Sequence, residues 1–218
     1  MRSKFDEQLL QLNHEMIEMG ALCEEVIALS SQALTEGDTA LAVKVAPLDS
    51  EIDHKEREIE NLCLKLLLRQ QPVARDLRQI SAALKMITDM ERIGDQAEDI
   101  AEIVAFLDGR QAENDALLKE MAKAVIQMVT ESVDAYVKCD IMLAKKVIAA
   151  DDVVDEQFAR VKQSLIGKIA ADPADGEYAL DLLMIAKYYE RIGDHATNIA
   201  EWVIYSVTGT HKDEITLT

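Results

Sequence analysis

Apolar residues recur at intervals of three and four along nearly the whole chain. Leu9, Leu12, Met16, Met19, Cys23, Val26, Ile27 and Leu34 form one such stripe. This is the period of an amphipathic helix, whereas a half-buried strand would alternate. Breaks in the pattern are few. Glu36-Gly37-Asp38 supplies a glycine stop and an aspartate N-cap. Gln70-Gln71-Pro72, Leu107-Asp108-Gly109, Lys138-Cys139-Asp140 and Asp172-Pro173-Ala174-Asp175-Gly176 are the others, with Asp140 a second N-cap. Between them the pattern predicts six helices, near 3–36, 38–70, 73–107, 111–138, 140–171 and 175–208. Helices this long joined by short connections pack as antiparallel neighbours. Pro47 falls inside the second and predicts a kink or a late helix start.

The six helices are two copies of three. Glu91-Arg92-Ile93-Gly94-Asp95 returns as Glu190-Arg191-Ile192-Gly193-Asp194, and Ala97, Ile100, Ala101 and Glu102 meet Ala196, Ile199, Ala200 and Glu201 at the same spacing. Asp38, Leu41, Ala42, Lys44 and Val45 align with Asp140, Leu143, Ala144, Lys146 and Val147. The expected fold is therefore all-α: a tandem repeat of two three-helix bundles, over 1–109 and 110–218, related by a pseudo-two-fold.

Composition narrows the function. The 218 residues carry 23 Lys+Arg against 41 Asp+Glu, a formal charge of −18. That excess repels phosphate backbones and argues against nucleic-acid binding. No apolar run approaches the roughly 20 residues of a membrane span, and the first residues do not form a signal-peptide core. Cys23, Cys63 and Cys139 have no CxxC spacing, which fits free thiols in a reducing cytoplasm. No nucleophile triad, phosphate loop or HExxH motif is present, so no catalysis is expected.

The acids are not evenly spread. With Glu91 at zero on a helical wheel, Asp95, Glu98, Asp99 and Glu102 fall within about 100° of arc. The second copy places Glu190, Asp194, Asn198 and Glu201 on the matching stripe. The preceding helices carry Asp49, Asp53, Glu56 and Glu60 in one copy, and Asp151 and Asp155 followed by Phe158 and Lys162 in the other. Like charges four apart destabilise a helix. An acid stripe is ordinarily a solvated face, but surface charge should drift between copies, and the Glu-x-x-x-Asp and Asp-x-x-x-Asp pairs recur in both. Facing carboxylates on adjacent helices are the means by which bundles bind cations. Oxygen-only donors favour Mg, Mn or Ca; Fe or Zn becomes favoured if histidine joins. Glu51 and His54 give one Glu-x-x-His, where a di-metal bundle enzyme needs two; His54 reads as a surface residue, and His195 as an occasional ligand. Arg92 and Arg191 should each pair with the Asp three positions on. Gly94 and Gly193, mid-helix, should permit close approach of a neighbouring helix.

These residues, with Gln71-Pro72-Val73-Ala74-Arg75-Asp76-Leu77-Arg78 and the ending Asn198-Ile199-Ala200-Glu201-Trp202-Val203-Ile204-Tyr205, resemble the PhoU family across essentially the whole chain. The resemblance implies a cytoplasmic negative regulator of the phosphate-starvation response that also limits phosphate uptake. It implies an adaptor, without enzymatic activity, between the ATPase subunit of a phosphate ABC transporter and a membrane sensor histidine kinase, and a homodimer. It further implies metal, Fe or Zn clusters in some members and Mg or Mn in others, at Glu91, Asp95, Glu190 and Asp194, with Asp49, Asp53, Asp151 and Asp155 as companions and Asp99 and Asn198 as a further matched position. Two other readings of the same residues are a di-metal carboxylate enzyme and a purely structural scaffold.

Overall fold

The computed structural model describes residues 2–70, 73–107, 109 and 116–210. Among them every regular element is helical: α1 Arg2–Glu36, α2 Thr39–Ala42, α3 Val45–Gln70, α4 Ala74–Phe106, α5 Ala116–Lys138, α6 Ile141–Ala171 and α7 Gly176–Thr208, with a single 3-10 turn at Pro173–Asp175. The expected break at Gln71-Pro72, and the 111–115 start of the fourth predicted helix, lie outside the described residues. At about 1.5 Å per residue, the longest helices run roughly 50 Å.

The predicted second helix is two pieces. Residues 43 and 44 form a turn in which Val43 N–H donates to Thr39 O and Lys44 N–H to Leu41 O. Pro47, two residues into α3, has no N–H to offer to the carbonyl of Val43, so the helix cannot run through without a lost bond. Its counterpart Ala149 has an N–H, and α6 is continuous. Both predicted N-caps are present. The Asp38 carboxylate accepts from Ala40 and Leu41 N–H, and that of Asp140 from Met142 and Leu143 N–H. Ahead of each cap one residue turns left-handed. It is Gly37 at φ 64° in the first copy and Cys139 at φ 52° in the second.

α1, α3 and α4 pack as one three-helix bundle and α5, α6 and α7 as another, while α4 lies along α7 and α1 along α5 between them. The apolar stripes of both bundles merge into one continuous core, with Leu12, Met16, Ile52, Ile59, Met86, Tyr136 and Tyr189 among its fully buried side chains. The arrangement leaves two long grooves, α3 against α4 and α6 against α7, with the matched acids along them.

Candidate metal centres

In the first copy the α3–α4 contact is tightest at Gly94. A methyl group there would lie 2.6 Å from Asp49 Oδ1 and 3.1 Å from Ile52 Cδ1. The glycine thus lets α3 approach closely, as its mid-helix position led us to expect, and the nearest group it admits is the Asp49 carboxylate. Asp49 Oδ1 is buried and accepts from no donor. The carboxyl that approaches it is Glu98, which offers a hydrogen only when one of the two is protonated. Burial, followed by the charges of Glu98, Asp95, Asp53 and Glu91, pushes the Asp49 carboxyl up to about 7. Burial also raises Glu91, with Asp95 adding to it, and raises Glu56 and Glu98.

The second copy repeats the plan. A methyl at Gly193 would lie 3.4 Å from Asp151 Oδ1. Burial, followed by Asp194, Asp155 and Glu190, pushes Asp151 up to about 6. Asp194 is raised by burial and by Glu190. The structure therefore brings Asp49 and Asp53 against Glu91 and Asp95, and Asp151 and Asp155 against Glu190 and Asp194.

Asp99 and Asn198 stand at the flank of the grooves and not within them; Asn198 and His195 line one cavity with Asp151 and Asp194. Asp99 and Asn198 face the α4–α7 seam, where Asn198 Nδ2 donates to Asp89 Oδ1 at 3.1 Å and Asp99 meets Tyr188. His195, considered as a ligand, is held there too, with Nδ1 2.9 Å from Asp89 Oδ1. Asp89 and Tyr188 are pseudo-two-fold counterparts, as are Asp99 and Asn198, so each helix offers a polar partner to the other. His54 is on the surface beside Glu58, Nε2 to Oε1 3.4 Å. Arg92 pairs within its helix as expected, at 2.8 Å from Asp95 and 3.4 Å from Glu91. Arg191 departs from the expectation. It crosses to Gln96 Oε1 at 3.5 Å and lies over the Tyr188 ring, because its seam neighbour Tyr188 offers a π face where Arg92 has Asp89.

Four further residues shape the faces: Glu98, Thr197, Phe158 and Lys187. Glu98 was legible on the acidic stripe. Thr197 stands in its place in the second copy, with a buried hydroxyl oxygen that has no partner. Lys187 forms an ion pair with Glu190 and lies 5.6 Å from the Phe158 ring centroid. The repeat alignment, which sets Lys187 against Thr88, was the signal that could have found it.

The donor set is hard oxygen, with an orphaned buried oxygen at Asp49 and a cradle at Gly94 that only a residue without Cβ leaves open. Those features fit an oxygen-liganded cation. Among the described residues no three His, Cys, Asp or Glu groups already converge on one point. Holding an ion therefore requires the facing carboxylates to turn toward each other across the groove.

Two three-helix bundles, duplicated in tandem and carrying matched acidic grooves, define a class of helical proteins rather than one activity. Comparison with known proteins narrows it. The family model described as "PhoU domain" matches twice, at residues 16–104 and 118–203, and the chain belongs to the PhoU family. It is 36% identical over 216 residues to a protein of Clostridium acetobutylicum named phosphate-specific transport system accessory protein PhoU homolog, covering 97% of this chain and 98% of that one. A Pseudomonas aeruginosa relative of the same name is 35% identical over 217 residues, covering 99% and 90%. The crystal structure of PhoU from Pseudomonas aeruginosa superposes with a TM-score of 0.89 at 35% identity, covering 94% of this chain and all of that one. That of the phosphate transport system regulatory protein PhoU from Streptococcus pneumoniae gives 0.87 at 26% identity, covering 95% and 98%. These relatives are named as accessory or regulatory proteins, not as enzymes. Among the described residues no helix is long and apolar enough to cross a membrane.

Proposed function

We propose that this protein is a metal-binding accessory protein of a phosphate-specific transport system. In this reading it restrains phosphate uptake and represses the phosphate-starvation response. It acts in the cytoplasm as a homodimeric adaptor between the transporter's ATPase subunit and a sensor histidine kinase. Near-full-length similarity to proteins named for that transport system supports the role in phosphate transport. The adaptor role and the dimer follow from the family resemblance.

The metal reading rests on one observation above the others: Asp49 Oδ1, buried, without a donor, and seated on Gly94. Leaving a buried acceptor unsatisfied costs about 1–3 kcal/mol; a cation in the groove removes that deficit. Asp49, Asp53, Glu91 and Asp95 would hold an ion in the first groove, and Asp151, Asp155, Glu190 and Asp194 in the second, with Asp99 and Asn198 at the flank. A divalent ion such as Mn or Mg, or an iron-group ion such as Fe or Zn, supplies concentrated positive charge there. The chain's own residues bring the carboxylates of two helices face to face and hold most of them half-buried beside the core.

Metal analysis of protein purified without chelator should find bound ions. Glu190→Ala with Asp194→Ala should lower that content with the helical signal intact. No bound metal, and no thermal shift on adding Mn, Fe or Zn ions, would overturn the metal reading. Deleting the gene should derepress phosphate-starvation genes in phosphate-rich medium, and unchanged expression there would overturn the regulatory one.

A further inference from the structure

The two grooves share a plan but not a charge. In the first, α3 carries Glu56 and Glu60 beyond Asp53, and α4 carries Glu98. In the second, the matching positions are Phe158, Lys162 and Thr197. Most telling is Lys187, on α7 one turn before Glu190, where the first copy has Thr88. Its ammonium forms an ion pair with Glu190 and lies over the Phe158 ring at 5.6 Å. It also acts on Asp194, whose carboxylate it stabilises. Phe158 belongs to α6 and Lys187 to α7, so the cation bridges the two walls of the groove. The aromatic ring takes the place of an acid and supports that cation, which a Glu56-like carboxylate would bind outright.

The geometry points to Lys187 as a built-in occupant of the second groove: divalent ions fill the first groove ahead of the second, and an ion enters the second only as the ammonium swings away. This inference rests on the reading that the grooves bind metal, and adds an order of loading set by one side chain. The first groove has cations of its own, Arg92 on Asp95 and Glu91 and Arg57 on Asp53, but both are more exposed than Lys187 and are outnumbered by the acids Glu56, Glu60 and Glu98 that the second groove lacks. An ion entering the second groove therefore meets a weaker field and a less solvated competitor that spans both walls. The exchange is reversible because the lysine stem is flexible and its head partly exposed.

Titration of chelator-stripped, full-length protein with Mn2+ alone tests it. The wild type should show two classes of sites, the tighter removed by Asp49→Asn with Asp53→Asn. In that doubly substituted background, Lys187→Met should tighten the remaining site by roughly tenfold, the scale for charges a few ångströms apart near a surface. With Asp151→Asn and Asp155→Asn instead, Lys187→Met should leave the first groove's affinity unchanged. A second readout uses the wild-type protein, so it stands even where Lys187→Met folds poorly. Acylation of Lys187 by an amine-reactive ester should be slow without metal and faster when Mn2+ fills the second groove. Equal affinity in the two grooves, or a Lys187→Met site no tighter than its parent, overturns the inference and leaves the metal reading standing. So does an acylation rate indifferent to Mn2+. No Mn2+ bound in either groove overturns the metal reading, and this inference with it.

Discussion

Replacing Asp49 by asparagine should stabilise the metal-free protein above neutral pH while weakening its hold on metal. The carboxyl stands at about 7 in the folded chain against an ordinary value of 3.8, first through burial and then through Glu98, Asp95, Asp53 and Glu91. Between about pH 4 and 7 the folded chain therefore keeps a proton that the unfolded chain releases. The stability carried by that proton is complete below pH 4 and is lost as pH rises through 7. A shift of that size sets a ceiling of about 4 kcal/mol. Asp49 is only partly buried, and solvent screening reduces the expected effect to about 1–2 kcal/mol. Asparagine has the same shape, carries no charge, and offers Nδ2–H to the facing Glu98 carboxylate. For a chain of this size that gain corresponds to a rise in Tm of roughly 2–8 °C. The assay is thermal or urea unfolding at pH 5 and pH 8 in excess chelator. Asp49→Asn should raise stability at pH 8, raise it by only about a third as much at pH 5, and flatten the pH dependence between. With saturating Mn2+ the order should reverse, because a neutral amide is a poorer ligand than a carboxylate. A variant less stable than wild type at pH 8 in chelator would refute the claim that the Asp49 charge is strained.

Four further substitutions have outcomes fixed by the structure. Gly94→Ala should lose about 1 kcal/mol in urea unfolding despite the better helix propensity of alanine, because the new methyl meets Asp49 Oδ1 at 2.6 Å. Gly193→Ala, with nothing nearer than 3.4 Å, should gain roughly 0.5–1 kcal/mol, so the two matched substitutions differ in sign. Cys139→Gly should gain about 0.5–1 kcal/mol, since Cys139 sits at φ 52° where the first copy already has Gly37. Asp140→Ala should cost about 1 kcal/mol in the same assay by freeing the Met142 and Leu143 N–H groups.

The helices were legible because the chain's apolar period is almost unbroken and its stops are chemically explicit, as at Gly37-Asp38 and Asp140. The acidic grooves were legible because duplication turned one helix's stripe into a repeated one. What wheel arithmetic could not supply was azimuth relative to a neighbour. Asp99 lies within the same arc as Asp95, yet a turn of about 40° carries it out of the α3–α4 groove and onto the seam with Tyr188. Asn198 meets Asp89 for the same reason. Arg191 escaped prediction because a rule for pairs within one helix is blind to Gln96 on another. Cys139 escaped because a left-handed backbone at a residue other than glycine has no compositional mark.

The charge of −18 says little until its environment is resolved. On α1 and α5 two carboxylates are held below their ordinary range: Glu18 by Lys55, and Glu131 by Lys146 and Gln127 against its own burial. Those acids are spoken for. The carboxylates raised above their ordinary range lie on α3, α4, α6 and α7: Asp49, Glu56, Glu91, Glu98 and Asp99 in the first copy, Asp151 and Asp194 in the second. Similar residues on neighbouring helices thus sit on opposite sides of electrostatic balance, and the imbalance follows the duplicated motifs. It is also the heavier in the copy without a lysine at the Lys187 position. A surface acidic only for solubility would place its charges where water screens them. Here the chain half-buries them, sets glycine beneath one, and answers the first groove's larger set of acids with the exposed Arg57 and Arg92, which is the arrangement expected of a protein whose remaining positive charge arrives from outside.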